Sequence, residues 1–495
     1  MIVAALTLLA IVYGAANVGL MIYGLNCYVM VYLSRQGWLR AEKARKADPT
    51  PDQAGAELPV VTTQIAVYNE VNVVERVLRA ACAMRYPAGR HEIQVLDDSN
   101  DETVAVIDRV AAELRAKGHD IHVLRRTHRM GYKAGALDAG VQQSRGELVA
   151  VFDADFVPPP DFLMQIAPFF TKNAKLGFAQ ARWGHLNRKR SLLTLAQAIG
   201  IDGHFLVEQP ARSGSGLYLN FNGTAGIWRK AAIVSGGGWS WDTLTEDLDL
   251  SYRVQFEGWE ALYLPDVVVR AELPEDINAF RSQQFRWAKG SIQTVIKLFP
   301  RLLAAKVSRF KKIQAFLHMT GYMVHPLMLI LAVCALPVLT LTSLFKMSAV
   351  PFAILSFPLV LSVLAPTTMY TVGQFKAAAS WKRRILLMPL LMIVGVGLAL
   401  SNSRAILEAA IGKKSEFVRT PKRGGGKELK HYRMRMPWAG VLELLLGLYC
   451  AHTLAVYIAA AKFTVSPFLA IYTAGFLFIG LMTIAEAVDQ SRQRD

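Results

Sequence analysis

The sequence predicts a polytopic membrane protein in which an α/β domain, Rossmann-like with a mixed and mostly parallel sheet, is inserted between transmembrane helices. Three observations lead there. The 495 residues are 53% apolar, with a mean hydropathy of +0.28, too apolar for an ordinary soluble chain. Apolarity is concentrated in runs at 2–33, 313–342, 352–375, 385–400, 438–461 and 465–488, most of them long enough for a bilayer that needs roughly 20 helical residues. From residue 60, β-rich stretches alternate with amphipathic helical ones, the pattern of a parallel, doubly wound sheet.

Taken in order, residues 1–34 form an N-terminal transmembrane helix. The run has no basic start and no small-residue cleavage site before Arg35, so it is not read as a signal peptide. Residues 58–276 form the α/β domain. VVTTQIAV (60–67) is its first strand and ends at Asn69-Glu70. A helical stretch to Arg85 leads to a second strand, EIQVLDD (92–98). The amphipathic stretch Asp101 to Lys117 leads to a third, DIHVLRR (120–126), and another helix to a fourth, ELVAVFDAD (147–155). Residues 277–312 are amphipathic interface helices, 313–376 two transmembrane helices, 377–436 an interfacial helix and a basic loop, and 437–489 two last transmembrane helices.

Formal net charge is +17, and its placement decides its meaning. Arg35 to Lys46, Lys306 to Lys312, Lys376 to Arg384 and nine residues between Lys413 and Arg435 lie beside apolar runs. That is the positive-inside pattern, with the lipid bilayer and not nucleic acid as partner. It places these flanks and the α/β domain in the cytoplasm, with the N-terminus outside and the protein in the cell (inner) membrane. Parity then requires that 385–400, interrupted by Pro389, Gly395 and Gly397, start and end on the cytoplasmic side, which gives five spans. A sixth true span is the alternative. The four cysteines follow no disulfide or zinc spacing.

Ligands of doubly wound sheets bind beyond the carboxyl ends of the strands. Asn69, Glu70, Asp97, Asp98, Asp153 and Asp155 fall there. Asp97 and Asp98 can accept hydrogen bonds from a ribose or base, although DDSN is also a good turn and helix N-cap. In DAD, strand alternation puts Asp153 and Asp155 on one side, where two carboxylates suit a hard cation, Mg²⁺ or Mn²⁺, bridging to a diphosphate. Thr245-Glu246-Asp247 begins a helix. Thr245 is a plausible N-cap, and carboxylates are favoured in a first turn. On the functional reading Asp247 is a general base, with Glu246 and Asp155 the other catalytic candidates. In QQFRW (283–287), Arg286 has the planar fork that suits a diphosphate, and Trp287 a flat face on which a sugar can stack. Trp287 is equally a residue of membrane-interface belts.

These runs, in this order and spacing, resemble the membrane-embedded, processive inverting glycosyltransferases: cellulose synthase, hyaluronan synthase, and the cellulose-synthase-like mannan and glucan synthases. The resemblance covers roughly 58–490. GYKAGAL (131–137) looks like the family's nucleotide-side lysine loop and implies Lys133 as a donor contact. FNGTAGIWR (221–229) resembles the acceptor-side loop and implies Asn222, Gly223 and Thr224 with Trp287 at the acceptor. FVRTPK (417–422) resembles the gating loop and implies that Thr420 and Lys422 touch the diphosphate. Arg419 departs from the Val of cellulose synthase, and Ala66 stands where many relatives have Pro. The family implies a metal-dependent hexosyltransferase that polymerises a β-linked polysaccharide and passes it through the bundle. It further implies a nucleotide-sugar donor, UDP-glucose before GDP-mannose, a growing glycan acceptor, and export partners in the periplasm or outer membrane. A glycolipid synthase with the same site is the alternative enzyme, and a transporter without chemistry the alternative of another class.

Overall fold

The computed structural model of the protein describes residues 2–46, 58–344, 349–377, 380–415, 422, 424 and 437–492. The chain opens with α1 (Ile2–Lys46), whose Thr7–Arg40 portion is long and apolar enough to cross a membrane. The helix does not stop where the apolar run ends at 33. Its last turns, basic and rich in good helix formers, descend onto the α/β domain, where Trp38 Nε1 donates to Leu206 O at 3.0 Å.

The first half of the domain alternates as expected. The elements are β1 (Val61–Val67), α2 (Val74–Cys82), β2 (His91–Asp97), α3 (Thr103–Ala116), β3 (Ile121–Arg125), α4 (Tyr132–Gln143) and β4 (Leu148–Asp153). There follow α5 (Phe162–Lys172), β5 (Leu176–His185), α6 (Leu192–Gly203), a π-turn at His204–Glu208, α7 (Gln209–Gly214), β6 (Gly226–Arg229), α8 (Lys230–Ser235), α9 (Glu246–Phe256) and β7 (Glu260–Ala271). The strand order is β3-β2-β1-β4-β6-β5-β7. β1, β2, β3 and β4 run parallel, and β6 is antiparallel to both of its neighbours. Alternation along β4 divides the core. Leu148, Ala150 and Phe152 pack on one face with α2, α3 and α5, and Val149 and Val151 on the other with α4, α8 and α9. Buried polar side chains of β1 are paired across the ladder: Thr62 Oγ1 donates to Glu92 at 2.5 Å and Gln64 to Gln94 at 3.0 Å.

The order in which the parallel strands are laid down switches direction between β1 and β4, so a crevice opens beyond their carboxyl ends. Register brings those ends level, with Val67 opposite Asp97 and Ala66 opposite Asp153.

Next come α10 (Ile277–Ala304), started by Asp276, whose side chain accepts from Ala279 N at 2.8 Å, and α11 (Arg309–Met319). The membrane part holds α12 (Val324–Leu344), α13 (Ala349–Ala377), α14 (Trp381–Ile385), α15 (Met388–Gly397), α16 (Ala399–Ala410), α17 (Pro437–Ala459) and α18 (Ser466–Arg492). Among the described residues, Gly321–Leu341, Trp438–Ala459 and Ser466–Val488 join Thr7–Arg40 as helices able to span a bilayer. Trp381–Gly397 and Ala399–Ala410 together pass the same test but are bent by 42°, the shape of a broken span or a re-entrant segment. α13, 29 residues long, packs along α1.

Candidate active site

One cleft at the carboxyl ends of β1 and β4 is lined by Tyr68, Glu70, Asp98, Arg129, Lys133, Asp153, Asp155, Asn222, Gly223, Glu246, Asp247, Glu272, Gln283, Arg286, Trp287 and Lys422. Residues from distant parts of the chain therefore meet. On α10, Gln283, Arg286 and Trp287 stand at i, i+3 and i+4, which puts all three on the face turned to the cleft. Gly290, one turn further, touches the start of α9. A Cβ there would lie 2.6 Å from Thr245 Cγ2, so only glycine lets α10 approach the Thr245–Asp247 segment this closely.

DAD converges by a different route from the one expected. β4 ends at Asp153, and Asp155 lies in the following turn, so the turn and not strand alternation brings both carboxylates to the cleft. Asp153 Oδ1 is 2.6 Å from Lys133 Nζ, and Asp155 Oδ2 is 2.8 Å from Lys422 Nζ. Burial, and then the neighbouring Asp153, raise the Asp155 pKa against the pull of Lys422. Lys133 also donates to Gly223 O at 2.8 Å. Burial disfavours its charge, but Asp153 and Glu246 outweigh burial and hold its pKa above the ordinary lysine value.

Asp247 is enclosed. Its Oδ1 accepts from Leu248 N at 2.8 Å, and a Cβ on Gly223 (φ +78°) would lie 3.0 Å from its Oδ2. Burial and the adjacent Glu246 push its pKa up to about 7, against the attraction of Lys133 and Arg286. Burial also lowers the pKa of Arg286, and Glu246, Asp153 and Asp247 oppose that shift. A carboxylate poised near 7 inside a cleft is what a general base needs.

Seven carboxyl side chains line the cleft (Glu70, Asp98, Asp153, Asp155, Glu246, Asp247, Glu272) against four cationic ones (Arg129, Lys133, Arg286, Lys422). The donor set fits a hard divalent cation. Asp153 and Asp155 each rest on an ammonium group, and buried Asp155 Oδ2 has no well-directed hydrogen bond. Among the described residues no cluster of three or more His, Cys, Asp or Glu forms a self-sufficient metal cage. Two carboxylates completed by substrate oxygens and water is the Mg²⁺ manner of binding.

Several expected site residues stand elsewhere. Asp97 and Asp98 diverge because successive side chains of an extended chain point to opposite faces. Asp98 lines the cleft, bound by Arg126 at 3.0 and 2.5 Å. Asp97 is turned away and paired with Arg125 at 2.8 Å. Its other oxygen accepts from Ser99 N, so DDSN does form the expected turn, but it does not cap α3, whose N-cap position is Glu102 with no side-chain cap bond. Asn69 does not line the cleft. In the left-handed region (φ +55°), it braces the 97–100 turn through paired bonds with Asn100 at 2.9 and 3.0 Å. Thr224 is fully buried and accepts from Asp153 N at 2.9 Å, a support for β4 and not an acceptor contact. Thr245 precedes α9 without capping it, since its hydroxyl pairs with Thr294 at 3.2 Å. Thr420 lies outside the described residues. Lys422 reaches the cleft, held also by Glu272 O at 2.7 Å.

Two features escaped sequence reasoning. Arg129 lies over the Tyr68 ring at 3.3 Å to its centroid, and both line the cleft. Its place just before Gly131-Tyr132-Lys133 was the available signal. Glu272 follows β7, whose run EALYLPDVVVRA is broken by Pro265 and so reads poorly as a strand.

The family profile described as Glycosyltransferase like family 2 matches residues 59–290, and that described as Cellulose synthase matches 229–377. Glucomannan 4-β-mannosyltransferase 7 of Arabidopsis thaliana is 32% identical over 455 residues, 88% of this chain and 79% of its own length. Glucomannan 4-β-mannosyltransferase 2 of the same plant is 41% identical over 291 residues, 57% of this chain and 54% of its own. A rice relative, glucomannan 4-β-mannosyltransferase 1, is 40% identical over 283 residues, 55% and 54% respectively. The matched stretch thus spans about half the length of these last two relatives. Among solved structures, mannosyltransferase PcManGT from Pyrobaculum calidifontis, in complex with GDP-Man and Mn²⁺, superposes with a TM-score of 0.51 at 19% identity, covering 80% of this chain and 99% of that one. At that identity the likeness is one of fold.

Proposed function

Since the chain belongs to the cellulose-synthase-like glycosyltransferases of family 2, we propose that it is an inverting synthase of a β-linked glycan. It transfers mannosyl units from GDP-mannose to the end of a growing chain. The mannosyltransferase names of the relatives support a mannosyl donor, and on that support we take GDP-mannose ahead of UDP-glucose, the reverse of the order that the sequence motifs suggest. The observation that carries the reading is Asp247: a half-buried carboxylate whose pKa is pushed up to about 7, in a cleft that also holds Lys133, Arg286 and Trp287.

In this mechanism the acceptor hydroxyl lies against Asp247, which takes its proton as the oxygen attacks the sugar carbon, while the diphosphate leaves on the opposite side. Mg²⁺ or Mn²⁺ held by Asp153 and Asp155 would neutralise charge on that leaving group. Arg286, Lys133 and Lys422 add donors that strengthen as charge develops. Trp287 offers the acceptor ring a face, and burial of the site limits loss of donor to water. Processivity and passage through the bundle belong to the same proposal. They are supported by polar groups leading from α10 into the membrane helices: Tyr322 OH donates to Gln284 at 3.2 Å and Asn402 pairs with His325 at 2.9 Å. The proposal puts catalysis on the cytoplasmic face, which the basic flanks support.

The test is to supply purified full-length protein with a panel of nucleotide sugars, following nucleoside diphosphate release and product length. GDP release with a long mannose-containing product is expected. A single added sugar on lipid overturns the polymerase, and no release from any donor overturns the enzyme.

Two variants probe individual roles. Trp287→Ala should lower transfer to glycan about tenfold, the worth of one stacked ring, with less effect on donor hydrolysis by water. Equal losses in both reactions move Trp287 to the donor. Lys422→Ala should lower kcat by about 10–100-fold, since a charge-assisted contact to the diphosphate is lost. Unchanged steady-state kinetics would remove Lys422 from the reaction.

A further inference from the structure

Behind the acceptor side of the cleft lies a half-buried polar cluster on the π-turn between α6 and α7. Gln209 N donates to His204 O, an i to i+5 bond that widens the helix by one residue. In an α-helix of 3.6 residues per turn, positions 204 and 209 would point about 140° apart. The π-turn brings both side chains to Asn222. Gln209 Nε2 donates to Asn222 Oδ1 at 2.6 Å, which fixes the direction of the Asn222 amide. Its Nδ2 then faces His204 Nε2 at 3.1 Å, and Gln209 Nε2 approaches the same ring nitrogen at 3.2 Å. Gln209 Nε2 has two hydrogens and also faces Asn220 O at 3.2 Å, so the donor at the ring is the Asn222 amide; Nε2 accepts from it, and the ring proton sits on Nδ1 and donates to Glu208 Oε2 at 2.8 Å.

We propose that His204 is a positioning residue of the glycosyl transfer: fixed as its Nδ1–H form by Glu208, it holds Asn222 at the acceptor side of the cleft, one residue from the Gly223–Asp247 contact. This rests on the synthase reading above. Glu208 is well anchored for the task. Arg212 binds its other oxygen at 2.8 Å. Burial favours its neutral form, but Arg212, His204 and His318 together hold its pKa well below the usual carboxylate range. The Asn222 backbone is fixed as well, its N–H donating to Gln180 Oε1 at 2.8 Å. Only the side chain is left for His204 to orient.

Three substitutions in the full-length protein separate the atoms. Gln at 204 offers an acceptor oxygen where Nε2 stood. Asn can still reach Glu208 but not Asn222, and Leu can do neither. The readout is the ratio of sugar passed to glycan over sugar passed to water, with the donor KM measured alongside. His204→Leu and His204→Asn should lower the ratio about tenfold, the effect of leaving a half-buried donor unpaired, with an unchanged donor KM. His204→Gln should recover most of it. An unchanged ratio in His204→Leu, or a His204→Gln as poor as His204→Leu, overturns the proposal. A second measurement needs no catalysis: the thermal unfolding of His204→Leu, Asn222→Ala and the double variant should be non-additive. Additivity overturns the contact itself. Non-additivity in a protein whose wild type consumes no donor overturns the synthase reading and, with it, the role in transfer, but leaves the contact standing.

Discussion

Asp247→Asn is expected to abolish glycosyl transfer, by about 10²–10⁴-fold, the usual worth of a positioned general base, while donor affinity stays close to wild type. The amide keeps the shape of the side chain and can still accept from Leu248 N, so the start of α9 should hold. What it loses is the ability to take a proton. The pH dependence follows from the same group. Burial and Glu246 raise the Asp247 pKa to about 7, so below that pH the free protein carries it protonated and unable to act as a base. kcat/KM, which reports ionisations of the free enzyme, should therefore fall as pH drops through about 7 and level off above it. Asp247→Asn should remove that limb from whatever activity remains. Donor binding measured by titration and turnover by diphosphate release give the two halves. Transfer within a few-fold of wild type would take Asp247 out of the role of base.

Asp155→Ala should be nearly as damaging, by a different signature. The carboxylate is assigned to the cation that holds the diphosphate, so its loss should weaken metal activation and donor binding together. The drop should exceed the roughly 10–100-fold typical of losing only an outer-shell partner. The variant also strips Lys422 of its ionic partner at 2.8 Å, and an uncompensated buried charge is costly. Asp155→Asn, which keeps the volume, is therefore the companion variant. Activity should disappear on exhaustive chelation and return with Mg²⁺ or Mn²⁺. In both variants the metal concentration for half activation should rise. Full activity after chelation would refute the assignment of Asp153 and Asp155 to a metal.

Much of this architecture could be read from local pattern. The first four strands were legible within a residue or two because β-branched runs such as VTTQIAV and LVAVFD, buried on both faces, carry the same signal at every position. The carboxyl ends followed from the strands, which makes Asp98, Asp153 and Asp155 legible, and Asp247 follows from the acidic first turn of α9. β5, β6 and β7 were not legible, since β6 is only four residues long and β7 contains Pro265, which weakens a strand reading.

The sequence by itself determined the kinds of groups present: strand-end carboxylates, a fork and a flat ring side by side on one helix, and basic flanks beside apolar spans. These are properties of short windows, set by side-chain chemistry and by the periods of strand and helix. Tertiary structure alone decided which groups share a space. Asp97 and Asp98 are equivalent as letters, yet one pairs with Arg125 behind the sheet and the other faces the cleft, because strand alternation leaves open which face of β2 meets the crevice. His204, Asn222 and Lys422 are far apart in sequence. Their positions depend on a π-turn, a glycine with positive φ and long-range packing, none of which leaves a periodic trace in the chain.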